Sequence, residues 1–249
     1  MLQMGWYFVI YAFLGWCLEV AFHAVQTGKF INRGFLNGPV CPIYGFGVVV
    51  VILCLIPLNH NLFLLFLGSV LLTSLLEYVT GFALEKVFHT RWWDYSDQPF
   101  NIRGHVCLKF SLAWGFACVF VLRLIHPMIA KMVGWIPRLP SIILLCVLLG
   151  LFIADAVATV IGVRRMDKRL RLINEIGRKL REGSDSIGEN ISEDTLKLIQ
   201  AKEKLAAQSK RMERRLLKAF PGLKSRRYAE ELEALRERLR ERVKSRKAK

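Results

Sequence analysis

Long apolar runs separated by short polar stretches fill the first two thirds of the chain. A membrane-crossing helix needs about 20 predominantly apolar residues. Five stretches fit that template, at about residues 4–25, 41–58, 62–87, 106–129 and 141–163. The second is the shortest. Pro42, Gly45 and Gly47 near its start predict a broken or re-entrant entry, which is tolerated where protein or a wet cavity satisfies the backbone. Beyond residue 163 the pattern changes. Ile173, Ile176 and Leu180 recur at helical spacing among basic residues, which predicts an amphipathic helix continuing from the fifth span to about residue 182. Residues 183–188, rich in Gly and Ser, are expected to break it. A further helix is expected from about residue 193 to 219, with Ser192 as its N-cap, then a turn at Pro221 and Gly222. A last helix is expected over about 226–243. Tyr228, Leu232, Leu235, Leu239 and Val243 form one narrow apolar stripe there, about two heptads long. The predicted fold is all-α: a polytopic integral membrane bundle of about five transmembrane helices (residues 1–163) with a basic helical tail (residues 164–249).

Composition sharpens this division. Of 249 residues, 53% are hydrophobic, above the roughly 45–50% of soluble domains. Residues 1–163 carry nine Lys/Arg and six Asp/Glu, a net of +3, whereas residues 164–249 carry 27 and 14, a net of +13. A single soluble globule, a disulfide-rich secreted domain and a fully disordered chain are excluded. The six cysteines lie in or at the ends of spans without any Cys-x-x-Cys pair, so they read as small buried hydrophobes rather than a zinc site. No metal and no cofactor is expected.

Charge also orients the chain. No Lys or Arg precedes Lys29, so the first span lacks the basic start of a signal peptide and is expected to be retained. Arg164, Arg165, Lys168, Arg169 and Arg171 directly follow the fifth span, which favours a cytoplasmic C-terminus and, with five spans, an external N-terminus. The 26–40 and 88–105 loops then face the cytoplasm. Lys131 and Arg138 on the opposite side dissent mildly.

Three acidic residues interrupt the apolar runs. Glu19, Glu77 and Asp155 lie late in spans one, three and five, at comparable depth in this topology. A carboxylate within a bilayer costs about 2.5–3.5 kcal/mol on insertion scales and faces a partner or a wet cavity. The expectation is a polar intramembrane pocket whose carboxylates serve as proton carrier, cation ligand or partner of a basic substrate group. Helix-to-helix hydrogen bonding is the plainer alternative. His23 shares a helix face with Glu19, but no further histidine stands at metal-ligand spacing, so it reads as an interfacial residue.

Two loops attend these carboxylates. The first contains Asn32, Arg33, Gly34, Asn37, Gly38, Pro39, Pro42, Tyr44 and Gly45; it reads as a sharp re-entry turn or an anion-lining backbone, with Arg33 facing a phosphate or a carboxylate. The second holds Trp93, Asp94, Tyr95, Asp97 and Asn101. Its aromatics suit the headgroup level, and its polar residues predict a folded loop over a polar pocket. Asn32-Arg33-Gly34 echoes Asn101-Ile102-Arg103-Gly104, and Gly38-Pro39-Val40-Cys41 echoes Gly104-His105-Val106-Cys107, as in a parallel helix–loop–helix duplication.

With Trp16 and Glu19, the 32–39 loop, Pro42 to Gly45, Glu77, Trp93 to Ser96, Asn101, Gly104 and Trp114, the chain resembles the ABC-transporter type IV permease family of bacterial membrane proteins, over about residues 5–163. The resemblance implies a permease subunit in the bacterial plasma membrane. The chain contains no Gly-x-x-x-x-Gly-Lys-Ser/Thr, so a separate ATPase subunit would supply energy. Five spans also suggest a homo-oligomer or a partner permease.

No nucleophile–base spacing marks a catalytic centre. Two other functions stand beside transport: an intramembrane enzyme on a lipid-linked substrate, with Asp94, Asp97, Glu19 or Glu77 as acid/base and Arg33 on phosphate, and a scaffold recruiting partners through its tail. The tail's charge suits anionic lipid or a helical protein partner. Nucleic acid is disfavoured, since no recognition motif accompanies the charge.

Overall fold

In the computed structural model, which describes residues 1–186, 193–207, 211–221, 223–225 and 227–247, the chain is almost entirely helical. Four helical stretches are long and apolar enough to cross a membrane: Leu2–Thr27, Leu62–Phe88, Leu108–Gly134 and Arg138–Leu180. Helix α2 (Pro42–Leu55) and the 3₁₀ turn Ile56–Leu58 form a shorter apolar segment of 17 residues. At 1.5 Å per residue it reaches about 25 Å, short of a hydrocarbon core of about 30 Å. Among the described residues the bundle therefore has four full-length helices and one short one.

Local chemistry sets the ends. Helix α1 (Leu2–Thr27) stops at Gly28, which takes φ 65° and returns its N–H to the Ala24 carbonyl. Pro42 occupies the first turn of α2, where its missing N–H costs nothing. Asn61 caps α3 (Leu62–Phe88), its Oδ1 accepting the N–H groups of Phe63 and Leu64 at 3.0 and 3.1 Å. Helix α4 (Leu108–Phe120) passes through a π turn at Val121–Ile125 into α5 (His126–Gly134). Pro127 has no N–H to give the carbonyl four residues back, so the hydrogen-bond register widens there. The fourth span therefore runs on to Gly134, past the expected limit at residue 129.

Helix α6 (Arg138–Ser186) runs unbroken for 49 residues. Continuation of the fifth span into a basic helix is as expected. Helix α6 ends at Ser186, so residues 183–186 of the expected break at 183–188 are still helical; residues 187–192, including Ser192, lie outside the described residues. Helices α7 (Glu193–Ala207), α8 (Arg211–Ala219) and α9 (Ala229–Lys247) follow. The last helix begins three residues later than expected; Arg226 and Gly222 lie outside the described residues.

The chain divides into two compact units. The first comprises Met1–Leu84 and Trp93–Thr159. Its core joins Trp6, Tyr7 and Tyr11 of α1 to Ile52 of α2, Leu65 of α3, Leu122 of the π turn and Leu145 of α6. Trp6 donates its indole N–H to Ser141 Oγ at 2.6 Å, satisfying both groups in the interior. Helices α1 and α2 pack closely because each offers a glycine to an aromatic of the other. A Cβ on Gly15 would run into the Tyr44 ring, and one on Gly45 would lie 2.7 Å from the Phe8 carbonyl oxygen. Outward positions such as Phe63, Leu71, Leu75, Phe116 and Leu151 are exposed apolar side chains. Only 11% of the most apolar window of α3 is buried by protein, as befits helices whose solvent is lipid.

The second unit comprises Glu85–Trp92 and Val160–Lys249. Met166, Leu170 and Ile173 of α6 are buried in it, as are Leu216 and Leu217 of α8 and Leu232 and Leu235 of α9. Of the apolar stripe predicted for the last helix, Leu232 and Leu235 are thus covered, and Tyr228 and Leu239 are half-buried. Strand β1 (Thr90–Arg91) pairs antiparallel with Lys224–Ser225, and Trp92 sets its edge against Phe220 at 4.9 Å. Arg169 Nη2 and Glu213 Oε2 form a buried ion pair at 2.8 Å.

Candidate functional site

The first loop closes around Asn32. Its Oδ1 accepts the Trp16 indole N–H at 2.8 Å and the Gly34 N–H at 2.9 Å, the second closing a tight Asx turn. Its Nδ2 donates to the Asn37 carbonyl at 2.8 Å. Asp155 then captures the far end of the loop. Its Oδ1 accepts Asn37 Nδ2 at 2.8 Å and Asn37 N at 3.2 Å, and its Oδ2 accepts Gly38 N at 2.7 Å. Thr159, fully buried one turn on, accepts a bond from Asn37 Nδ2 at 3.1 Å. Asp155 is therefore a clamp on the loop, with both oxygens engaged. Pro39 is exposed beside it, and Cys41 N bonds to the Ala12 carbonyl, delivering Pro42 to the start of α2.

This fold brings Arg33 and Tyr44 to Glu19. The Tyr44 hydroxyl donates to Glu19 Oε1 at 2.6 Å, and Arg33 Nε lies 3.7 Å from Glu19 Oε2. Gly15, one turn before Glu19, makes room for the Tyr44 ring. His23, half-buried, offers its backbone carbonyl to the Thr27 hydroxyl and does not join the Glu19 pair.

The second loop closes around Asn101 in a related way. Its Oδ1 accepts Gly104 N at 3.1 Å, and its Nδ2 reaches the carbonyls of Gln98 and Ser96 at 2.8 and 3.2 Å. Strands β2 (Asn101–Ile102) and β3 (Val106–Cys107) pair antiparallel across a turn in which Arg103 and Gly104 both take positive φ. Asp94 Oδ1 accepts Ser96 N and Ser96 Oγ, a local turn rather than an open carboxylate. Trp93 donates to the His105 carbonyl at 2.9 Å.

The loop delivers Tyr95 to Glu77, with 3.0 Å from its hydroxyl to Glu77 Oε1. Burial, reinforced by that carboxylate, holds the Tyr95 phenol well above its ordinary range, so it stays a donor. The Tyr95 ring stacks on Phe110 at 4.8 Å. Trp114 also hydrogen-bonds to the Glu77 carboxylate, and its ring meets that of Tyr44 in a T-shaped contact at 5.7 Å. Glu77 Oε2 is covered by protein.

The three carboxylates thus have separate partners, and among the described residues no three His, Cys, Asp or Glu side chains gather to hold a metal ion. Sequence reasoning missed Thr159 and the buried His105. Thr159 stands four residues after Asp155, a helical spacing that marks a shared face; His105 sits inside the echoed Gly104–Cys107 stretch. A cavity of about 520 Å³ in the second unit is lined by Ile173, Gly177, Leu180, Lys202, Glu230, Glu231 and Ala234, none of them a predicted site residue.

Neither the curated proteins nor the solved structures contain a match to this chain. The family described as Putative ABC-transporter type IV matches residues 6–160, which holds every Glu, Tyr, Trp and Asn of the arrangement above, and the chain belongs to that family.

Proposed function

We propose that this protein is a permease-like subunit of an ABC-type transporter, with a polar site formed by Glu19, Arg33 and Tyr44 on one side and Glu77, Tyr95 and Trp114 on the other. The observation that carries the reading is that two carboxylates on apolar, span-length helices each accept a tyrosine hydroxyl brought by a folded loop. Each carboxylate costs about 2.5–3.5 kcal/mol in a bilayer, and hydrocarbon side chains would pack these helices without that cost. Asp155 belongs to the scaffold of the site, since both oxygens hold the first loop.

Energy comes from a separate ATPase subunit, because the chain contains no phosphate-binding loop motif. The protein resides in the bacterial plasma membrane with its N-terminus outside and its C-terminus in the cytoplasm. A second copy or a partner permease completes the pathway. The tail contributes charge more than apolar surface, which suits anionic lipid or a helical partner carrying acidic residues. Enzymatic action on a lipid-linked substrate fits less well, because Asp94 is held in a turn with Ser96.

The test is purification of tagged full-length protein from its native membrane in mild detergent, with mass spectrometry of what accompanies it. A stoichiometric ATPase, and ATP-dependent flux in vesicles holding both subunits, is expected. Glu19→Gln and Glu77→Gln should assemble normally and abolish flux. Reproducible absence of an ATPase from intact protein, or full flux in both variants, would overturn the proposal.

A further inference from the structure

The end of the bundle that carries the N-terminus has cations and no acids. Trp6 bonds to Ser141 there, Arg123 donates to the Asn59 carbonyl at 2.5 Å, and Ile129 and Val133 of α5 join the core with Trp6 and Leu145. These residues fall within 1–18, 41–76 and 98–154, stretches without a single Asp or Glu. Arg123 is engaged with the turn after α2. Lys131 and Arg138 are exposed, and those stretches offer them no carboxylate. Arg138 precedes the apolar part of α6 and the Arg164 to Arg171 cluster follows it, so a bilayer crossed by that helix separates the two. Lys and Arg concentrate on one side of membrane proteins, so two uncompensated cations on the other side call for a partner.

The faces of α5 narrow what that partner is. His126, Ile129 and Val133 are buried. Met128, Lys131, Met132 and Trp135 recur three or four residues apart on the opposite side, and all are exposed, Trp135 by 84%. Leu139, next to Arg138, is exposed as well. Lysine among methionine and tryptophan on one helix face is the composition of a segment at the lipid–water boundary, where indole rings settle at headgroup level. Helix length agrees. Lys109 and Lys131 stand 22 residues apart in the stretch Leu108–Gly134, about 33 Å at 1.5 Å per residue. That brackets a hydrocarbon core of about 30 Å and places each ammonium at a headgroup layer. Cations in that layer meet lipid phosphate, and the apolar neighbours of Lys131 and Arg138 meet acyl chains.

We propose that Lys131 and Arg138 form a surface that recruits anionic phospholipid in the leaflet at the N-terminal end of the bundle. Trp135, between them in the chain, lies at the glycerol level, and Met128, Met132 and Leu139 lie along the acyl chains. This surface is separate from the Glu19 and Glu77 pairs and from the basic tail, and it does not rest on the permease reading.

The test places full-length protein in phosphatidylcholine nanodiscs with a rising fraction of brominated phosphatidylglycerol or brominated phosphatidylcholine. Acyl-chain bromine quenches nearby indoles, and the Trp135 share is the difference between wild type and Trp135→Phe. Half-quenching of Trp135 should need at least about threefold less phosphatidylglycerol than phosphatidylcholine. Salt at 1 M, which cuts the screening length to about 3 Å, should narrow that gap. Lys131→Gln/Arg138→Gln should erase the preference, and each single Gln variant should lose part of it. Lys131→Arg/Arg138→Lys should keep it, and Arg164→Gln/Arg165→Gln in the tail should leave it unchanged. Equal quenching by the two lipids, or a preference that survives in the folded double Gln variant, would overturn the proposal. Relief of quenching by soluble glycerol phosphate would overturn it too, because the surface would then read free phosphate. So would an acidic protein that copurifies with the wild type and shields Trp135 from brominated lipid.

Discussion

Replacing Asp155 by Asn probes the clamp on the first loop while conserving side-chain shape. In the wild type, Asp155 accepts three bonds from the loop: from Asn37 Nδ2, Asn37 N and Gly38 N. Hydrogen bonds to a charged acceptor contribute about 1.5–3 kcal/mol each. Asparagine retains one carbonyl oxygen, which serves Asn37. Its amide nitrogen then meets the Gly38 N–H, donor against donor. One charge-assisted bond is lost and the others lose the charge, so the cost of opening the loop falls by about 2–3 kcal/mol. At 1.4 kcal/mol per decade this is about a 30- to 150-fold rise in the open population. Hydrogen exchange of the Asn37 and Gly38 amides in nanodiscs reads that population. Exchange at 37–38 should accelerate by that factor, while Tyr95 and Gly104, which bond to each other in the second loop, should not change. Unchanged exchange at Gly38 in the variant would refute the clamp.

Three further outcomes follow from the packing. Gly45→Ala places a Cβ 2.7 Å from the Phe8 carbonyl oxygen, part of the α1 backbone that has little room to yield; a loss of about 1–3 kcal/mol, read as a lower melting temperature, is expected. Arg169→Met removes one ion-pair partner of the buried Glu213 and should destabilise the tail unit by up to about 3–5 kcal/mol, whereas the double variant Arg169→Met/Glu213→Leu should recover part of it, as limited proteolysis of the tail would report. Tyr95 is raised above its unfolded value, so its O–H form stabilises the fold fully below about pH 10, and this contribution is lost as pH rises beyond that value. Melting temperature should therefore fall above pH 10, and Tyr95→Phe should flatten that limb.

The spans were legible in the sequence because a helix in lipid satisfies its own backbone, so the apolar run that makes it is a local property. The two loops were legible from their Gly, Pro, Asn and aromatic residues; that Asn32 and Asn101 close them came from the structure, although each does so within three residues of its own side chain. Membership of the family followed from the same short motifs. The shortness of the second span was visible in its residue count; the π turn and the run of the fourth span to Gly134 followed from Pro127 and the packing around it.

What only the tertiary structure decided is the direction in which each buried carboxylate faces. Sequence places Glu19, Glu77 and Asp155 at similar depth, which suggested one pocket. Depth follows from counting residues along a helix, but rotation about the helix axis depends on which neighbours pack against it. Packing turned Glu19 to a tyrosine 25 residues away and Glu77 to one 18 residues away. It turned Asp155 to a loop more than 110 residues earlier in the chain. Partners at such separations leave no periodic trace, so these pairings are a property of the folded molecule alone.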